Sequence, residues 1–174
     1  SSNLGASWVI VNDTISSNSL QKAIVDHTGN IYVVSSNGKV YLSTNKGATW
    51  TLQGDFNGGA SQTPQGMGVN QTNALYIVDG DDDVWVSVNS GLNWTRQTTN
   101  YGGGLADGLA ANNHSVYILH NKEVYRSIDS GKTWVLINSS ISPYSQDGLD
   151  IFISDSDTFY LVDAAERVFM SSDG

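Results

Sequence analysis

Short runs of alternating apolar and polar residues, broken by tight polar turns, recur along the whole chain. Alternation places every second side chain on one face, the pattern of half-buried β-strands. The runs come in pairs around small turns: Ser36-Asn37-Gly38, Asp79 to Asp83, His120-Asn121-Lys122 and Asp163 to Glu166. Each turn has a tyrosine upstream (Tyr32, Tyr76, Tyr117, Tyr160) and a valine followed by an aromatic downstream (Val40-Tyr41, Val84-Trp85, Val124-Tyr125, Val168-Phe169). Apolar alternation on both sides of a tight turn predicts a β-hairpin. No stretch of ten or more residues keeps a helical period without a Gly or turn cluster inside it, so the sequence predicts an all-β fold.

The hairpins belong to a longer repeat. Residues 43–50 read STNKGATW, 87–94 SVNSGLNW and 127–134 SIDSGKTW, residues 1–8 (SSNLGASW) fit the same form, and 171–174 (SSDG) are its first half. The shared box is S-x-(D/N)-x-G-x-(T/S/N)-W, with starts 42, 44, 40 and 44 residues apart. Each unit then holds four strands, A to D, with the box as the C–D turn. In one unit, A lies near Gly66–Asn70, B is Ala74–Val78, C is Asp83–Ser87 and D starts at Asn93-Trp94. Four strands every 40–45 residues or so is the period of a β-propeller blade.

The boxes resemble the Asp-box, or bacterial neuraminidase repeat, of sialidases, xyloglucanase-like glycoside hydrolases, sortilin-type receptors and propeller lectins. The resemblance covers the whole chain. Residues 127–134 match best, whereas Asn3, Asn45 and Asn89 stand where Asp is usual. The resemblance implies a β-propeller of four-stranded antiparallel blades with four repeats here: about 1–42, 43–86, 87–126 and 127–170, with a truncated box at 171–174. An Asn keeps the side-chain-to-backbone bonds of such a turn. Gly5, Gly47, Gly91 and Gly131 are expected at positive φ, and Trp8, Trp50, Trp94 and Trp134 in the joints between blades. The box is a structural turn shared by unrelated activities, so it implies the fold and not a function.

Trp8–Val11 reads as a D strand with no A, B or C before it, and Val168–Ser171 as a C strand with no D after it. Joined, they would close a four-bladed ring, but both ends carry box residues. Residues 1–174 therefore read as a propeller domain or a segment of a larger propeller, a four-bladed ring or an oligomer being the alternatives. The chain opens on Ser1-Ser2-Asn3 without Met or an apolar leader, which reads as a mature or excised segment.

Composition narrows the function. Lys and Arg number 8 against 17 Asp and Glu, a net charge of −9, which argues against nucleic acid and anionic membrane as partners. The absence of Cys excludes disulfides, thiolate metal sites and cysteine catalysis. No apolar run approaches the ~18 residues of a membrane span. Five Asn-x-Ser/Thr triplets, at Asn12, Asn70, Asn93, Asn113 and Asn138, are candidate glycosylation acceptors if the chain is secreted.

Chemistry is expected on the long D–A loops, 12–19, 53–65, 97–107 and 138–147. Three carry an aromatic among amides and glycines: Phe56, Tyr101 and Tyr144. Exposed, each would offer a plate to the apolar face of a sugar, with Gln65, Asp107 and Asp147 binding its hydroxyls. Asp107-Gly108-Leu109 and Asp147-Gly148-Leu149 read as equivalent strand-A entries, and two carboxylates facing one channel could serve as acid and base in glycoside hydrolysis. Asp79, Asp81 and Asp83 alternate on a B–C turn and could hold Ca²⁺, although the closing Glu of a calcium loop is missing. Sialidases, by the resemblance, use three arginines and a Tyr–Glu pair; here Arg96, Arg126 and Arg167 lie by strands C and D, and the Arg-Ile-Pro motif is absent.

The reading is an extracellular or cell-surface propeller, non-catalytic and without a cofactor, that binds carbohydrate or another surface ligand. It would be completed by the remaining blades of a larger propeller or by copies of itself. The alternatives are part of a xyloglucanase-like or sialidase-like glycoside hydrolase, and a structural unit of a surface appendage or adhesin.

Overall fold

A computed structural model of the chain describes residues 4–12, 15, 19–58, 63–98, 101–102, 104–139, 141, 148–154 and 158–172. The described residues form fifteen strands and no helix. Blade one is β1 (Leu20–Val25), β2 (Ile31–Ser35), β3 (Lys39–Ser43) and β4 (Thr51–Asp55). Blade two is β5 (Pro64–Val69), β6 (Leu75–Asp79), β7 (Val84–Ser87) and β8 (Thr95–Thr98). Blade three is β9 (Gly108–Ala111), β10 (Val116–His120), β11 (Glu123–Ser127) and β12 (Val135–Asn138). Blade four is β13 (Gly148–Ile153), β14 (Phe159–Asp163) and β15 (Val168–Ser171). All neighbouring strands are antiparallel and run in chain order, so the fold is a β-propeller of four blades.

One expectation is corrected at the ends. Among the described residues β15 is the last strand of blade four, as expected, but residues 8–11, expected as a D strand, belong to no sheet. The innermost strands touch in series, β1 with β5, β5 with β9 and β9 with β13, whereas no comparable contact joins β13 back to β1.

The turns follow from a few side chains. In every B–C turn one residue is left-handed: Gly38 (φ 84°), Asp82 (65°), Asn121 (54°) and Glu166 (62°). A carboxylate or amide at a strand end then accepts the N–H groups two and four residues on, as Asp26 does from Thr28 and Asn30, and Asp79 from Asp81 and Asp83. Asn70 does the same toward Thr72 and Ala74 and is itself buried, an unfavourable place for a glycan. These bonds replace water on donors the ladder leaves free.

The three boxes whose residues are all described share one geometry. Gly47, Gly91 and Gly131 lie at φ 88°, 82° and 90°, each after a left-handed non-glycine. Ser127 Oγ donates to Asp129 Oδ1 (2.8 Å) and accepts Gly131 N–H (2.8 Å), while Asp129 accepts Thr133 N–H (2.9 Å). The acidic residue thus reaches the N–H groups three and four residues on. The Trp134 indole N–H closes the turn on the Gly131 carbonyl (3.2 Å). Asn45 and Asn89 keep these bonds with an amide oxygen, accepting from Thr49 and Asn93.

The core lies between blades. One apolar cluster joins blades one and two (Tyr32, Val34, Val40, Met67, Leu75, Ile77), with Trp94 against it, and a second joins two and three, with Trp134 against it. A third, between three and four (Tyr117, Leu119, Ile151, Phe159, Leu161), has no tryptophan in it.

Candidate ligand site

Two of the three aromatic plates expected on the D–A loops are buried. Phe56 is 1% exposed and meets Trp85 and Trp94 edge-on, with centroids 5.9 and 6.2 Å apart. Tyr101 is 3% exposed, packs edge-on against Tyr125 and Trp134, and donates its hydroxyl to the Gly104 carbonyl. Burial pushes the Tyr101 phenol well above its ordinary pKa. Both rings fold under the loop because each blade joint has an indole to cover. Tyr144 and Asp147 lie outside the described residues.

Of the two carboxylates expected as an acid pair, Asp107 alone is described. Asp107 accepts the Asn121 N–H (2.6 Å), and its own N–H bonds the Leu119 carbonyl (2.8 Å), so it tethers the B–C turn of blade three. Strand pairing also sets which residues of the inner strands correspond. Leu109 pairs with Ile118, one residue after Tyr117, and Ile151 pairs with Leu161, one residue after Tyr160. Gly108 is therefore matched by Asp150, two residues beyond the position expected. One residue of the offset comes from the shorter A–B connection of blade three, where Ala111 pairs with Val116 as Ile153 does with Phe159, and one from an irregularity in β13 between Gly148 and Asp150. Gln65 sits half-buried at the same kind of irregularity in β5, between Pro64 and Gly66.

The acidic B–C turn of blade two is occupied from within. Asp79 is buried, with Oδ1 accepting the Asp81 and Asp83 N–H groups and Oδ2 the Trp85 indole N–H (2.8 Å). Burial raises its pKa, and these three bonds work against the rise. Asp83 pairs with Arg96 at 2.8 Å. Among the described residues, no group of three or more His, Asp or Glu is placed to hold a metal ion. The arginines stay on their own hairpins: Arg96 on Asp83, Arg126 on Ser115 Oγ (2.8 Å) and Arg167 on Asp163.

The open space lies inside the arc. A cavity of about 360 Å³ is bounded by the inner strands of all four blades. Consecutive residues line it, Ala23 to Val25, Met67 to Val69, Leu109 to Asn112 and Asp150 to Ser154, rather than alternate ones. That is the signature of strand edges. Each inner strand bonds one neighbour on one side only, so its other row of N–H and C=O groups is turned inward. Asp150 is exposed there and accepts the Ile151 N–H (2.9 Å). His27, Gln71, Asn112 and Ser154 gather at the A–B turn end. The sequence reading missed all five. The only signal was their place at or just after strand A.

No family model matches the chain, and no curated protein matches it. Solved structures do. "YCF48 bound to D1 peptide" superposes with a TM-score of 0.62 at 12% identity over 90% of this chain and 66% of that one. The GH74 enzyme of Niastella koreensis gives 0.62 at 21% identity over 87% and 28%, and virginiamycin B lyase from Staphylococcus aureus 0.61 at 9% over 87% and 55%. All are β-propellers, and their functions differ. The chain spans less than two thirds of the length of each.

Proposed function

We propose that this chain is a non-catalytic Asp-box propeller that acts outside the cell or at its surface and binds an extended peptide segment of a surface partner along the inner cavity. The observation that carries the reading is the cavity wall of unpaired strand edges contributed by four blades. An extended chain can exchange main-chain hydrogen bonds with such an edge, and pockets between strands then read alternate side chains. The chain's charge of −9 and Asp150 in the wall favour a neutral or cationic segment. A propeller of the same fold, YCF48, binds the D1 peptide and supports the idea by analogy. The carbohydrate reading is weaker than the sequence suggested, because two of its three plates are core residues.

A peptide array with a glycan array in parallel tests it. Peptides should bind, and Asp150→Asn should weaken a cationic peptide about tenfold, the loss of one charge-assisted bond. Binding confined to glycans, or none on either array, rules the reading out.

A second reading, part of a glycoside hydrolase propeller, is favoured by the likeness to the GH74 enzyme. Hydrolysis of a xyloglucan-type substrate, abolished by Asp150→Asn, would put it first.

A further inference from the structure

Every inner strand has one backbone edge without a strand on it, and the ladders say which residues own that edge. Asn112 donates its N–H to the Ser115 carbonyl (3.0 Å), at the end of the ladder that pairs β9 with β10. Antiparallel pairing alternates, so Gly108 and Ala110 also turn N–H and C=O toward β10, while Leu109 and Ala111 turn both away from it, into the cavity. Asn70 and Ser154 make the same bond in blades two and four, to the carbonyls of Ala74 (3.1 Å) and Thr158 (2.9 Å). The corresponding pairs are therefore Met67 and Val69 in β5, and Ile151 and Ile153 in β13. The members of a pair are two residues apart, so their groups repeat at about 6.6 Å along the strand.

These three edges are not equally open. What stands beside each is the preceding inner strand, and beside β9 that strand presents Gly66 and Gly68. A Cβ on Gly66 would lie 2.7 Å from Leu109 N, and one on Gly68 would lie 3.3 Å from Ala111 N. With glycine at both places, no side chain of β5 screens those two N–H groups. Register puts Lys22 and Ile24 of β1 in the same places beside β5, and Gly108 and Ala110 beside β13. At β13 the Ile151 N–H is already taken, by Asp150 Oδ1 at 2.9 Å. The residue in the position of Asp150 is Gly66 in β5 and Gly108 in β9, with no side chain to do the same. Of the three strands, β9 combines two unclaimed N–H groups with a flank of two glycines. It has a blade of this chain on either side, so its edge faces the cavity whatever stands beyond them.

We propose that the peptide lies along β9: an extended segment adds to the sheet of blade three as an inner fifth strand, its main chain bonded to Leu109 and Ala111. The inference rests on the peptide reading of the cavity and says which edge takes the segment and by which atoms. Whichever way the segment runs, the N–H groups it gives to β9 belong to residues two apart, and the residue between turns its own away. Recognition is of backbone first. The partner supplies an extended run with a hydrogen on both bonded nitrogens, so proline is excluded at those two positions and tolerated between them. Gly66 and Gly68 act as specificity residues, because a side chain at either would stand over the N–H that the segment must reach.

The test needs no variant that could fail to fold. The probe is the capped hexapeptide that binds the whole protein tightest on an array, and the first readout is amide hydrogen exchange, residue by residue. Without peptide, the Leu109 and Ala111 N–H groups should exchange fast and that of Ala110, bonded to β10, slowly. With peptide, Leu109 and Ala111 should slow about tenfold or more and Ala110 hardly change. Singly N-methylated forms of the same peptide give the second readout. At two positions two residues apart the methyl should weaken binding about tenfold or more, the loss of one main-chain bond, and at the residue between by less than about threefold. Protection that falls on Ala23 and Val25, on Met67 and Val69 or on Ile153 instead, or methyl effects without that alternation, overturns the inference and leaves the peptide reading standing. An array without a peptide binder overturns both.

Discussion

Phe56 and Trp94 meet edge-on at 6.2 Å, their planes 68° apart, across the joint between blades one and two. One comes from a D–A loop and the other from a box forty residues away, so a loop that reads as a ligand platform is a clamp between repeats. Phe56→Ala should therefore cost about 3–5 kcal/mol of stability, the usual loss for a fully buried Phe. Ligand affinity in the inner cavity should not move. Urea unfolding beside peptide titration separates the two effects, and an affinity loss without a stability loss would return Phe56 to the binding face.

Tyr101 makes the same clamp one blade on, with a hydroxyl to satisfy. Tyr101→Phe should cost about 1 kcal/mol, the net value of one buried hydrogen bond. Tyr101→Ala should cost several times more, because it also empties the space against Tyr125 and Trp134. Thermal unfolding of the two variants checks the ratio.

Much of this architecture was legible in the residues. The boxes announced themselves because a left-handed glycine, a short polar acceptor and an indole are each hard to replace in that turn. Their spacing then fixed the blade period. The faces of the loops were not legible. Phe56 and Tyr101 sit among Gly, Asn and Gln, and nothing local tells an aromatic that folds under from one that stands out. Asp150 was missed for a different reason. The A–B connection of blade three is one residue shorter than the others, and β13 carries a register shift that β9 lacks, so counting along the sequence matched Gly108 with Gly148 where pairing matches it with Asp150. Small shifts of register are set by backbone geometry and leave little trace in composition.

Box three should give the chain a distinctive response to acid. Hydrogen bonds from Thr133, chiefly, hold the Asp129 carboxyl down at about 2 against an ordinary value of 3.8. A depressed folded-state pKa contributes stability that is complete above the unfolded value and is lost as pH falls through about 4 toward 2. Asn45 and Asn89 fill the same place in the boxes of residues 43–50 and 87–94 without titrating. Asp129→Asn should therefore flatten the fall in urea midpoint between pH 5 and pH 2. Equal slopes for parent and variant would show that the box carboxylate is not linked to folding.

At the inner strands, two glycines of β5 should respond to alanine in different ways, and Leu109 is the reason. A Cβ on Gly66 would lie 2.7 Å from Leu109 N, which is backbone and cannot turn aside. A Cβ on Gly68 would lie 2.5 Å from Leu109 Cδ2, the tip of a side chain, and otherwise no closer than 3.3 Å to backbone. Gly66→Ala should push blades two and three apart and cost about 3 kcal/mol, the upper end for an overpacked site. Gly68→Ala should cost nearer 1 kcal/mol if Leu109 can find another rotamer. Leu109→Ala removes the second obstacle and leaves the first. In a double-mutant cycle Gly68→Ala should then be nearly free in the Leu109→Ala background, while Gly66→Ala keeps most of its cost. Chemical unfolding of the six proteins measures both couplings. Equal rescue of the two glycines would mean that the blades pack through side chains alone and that the close approach of their inner backbones is not what spaces them.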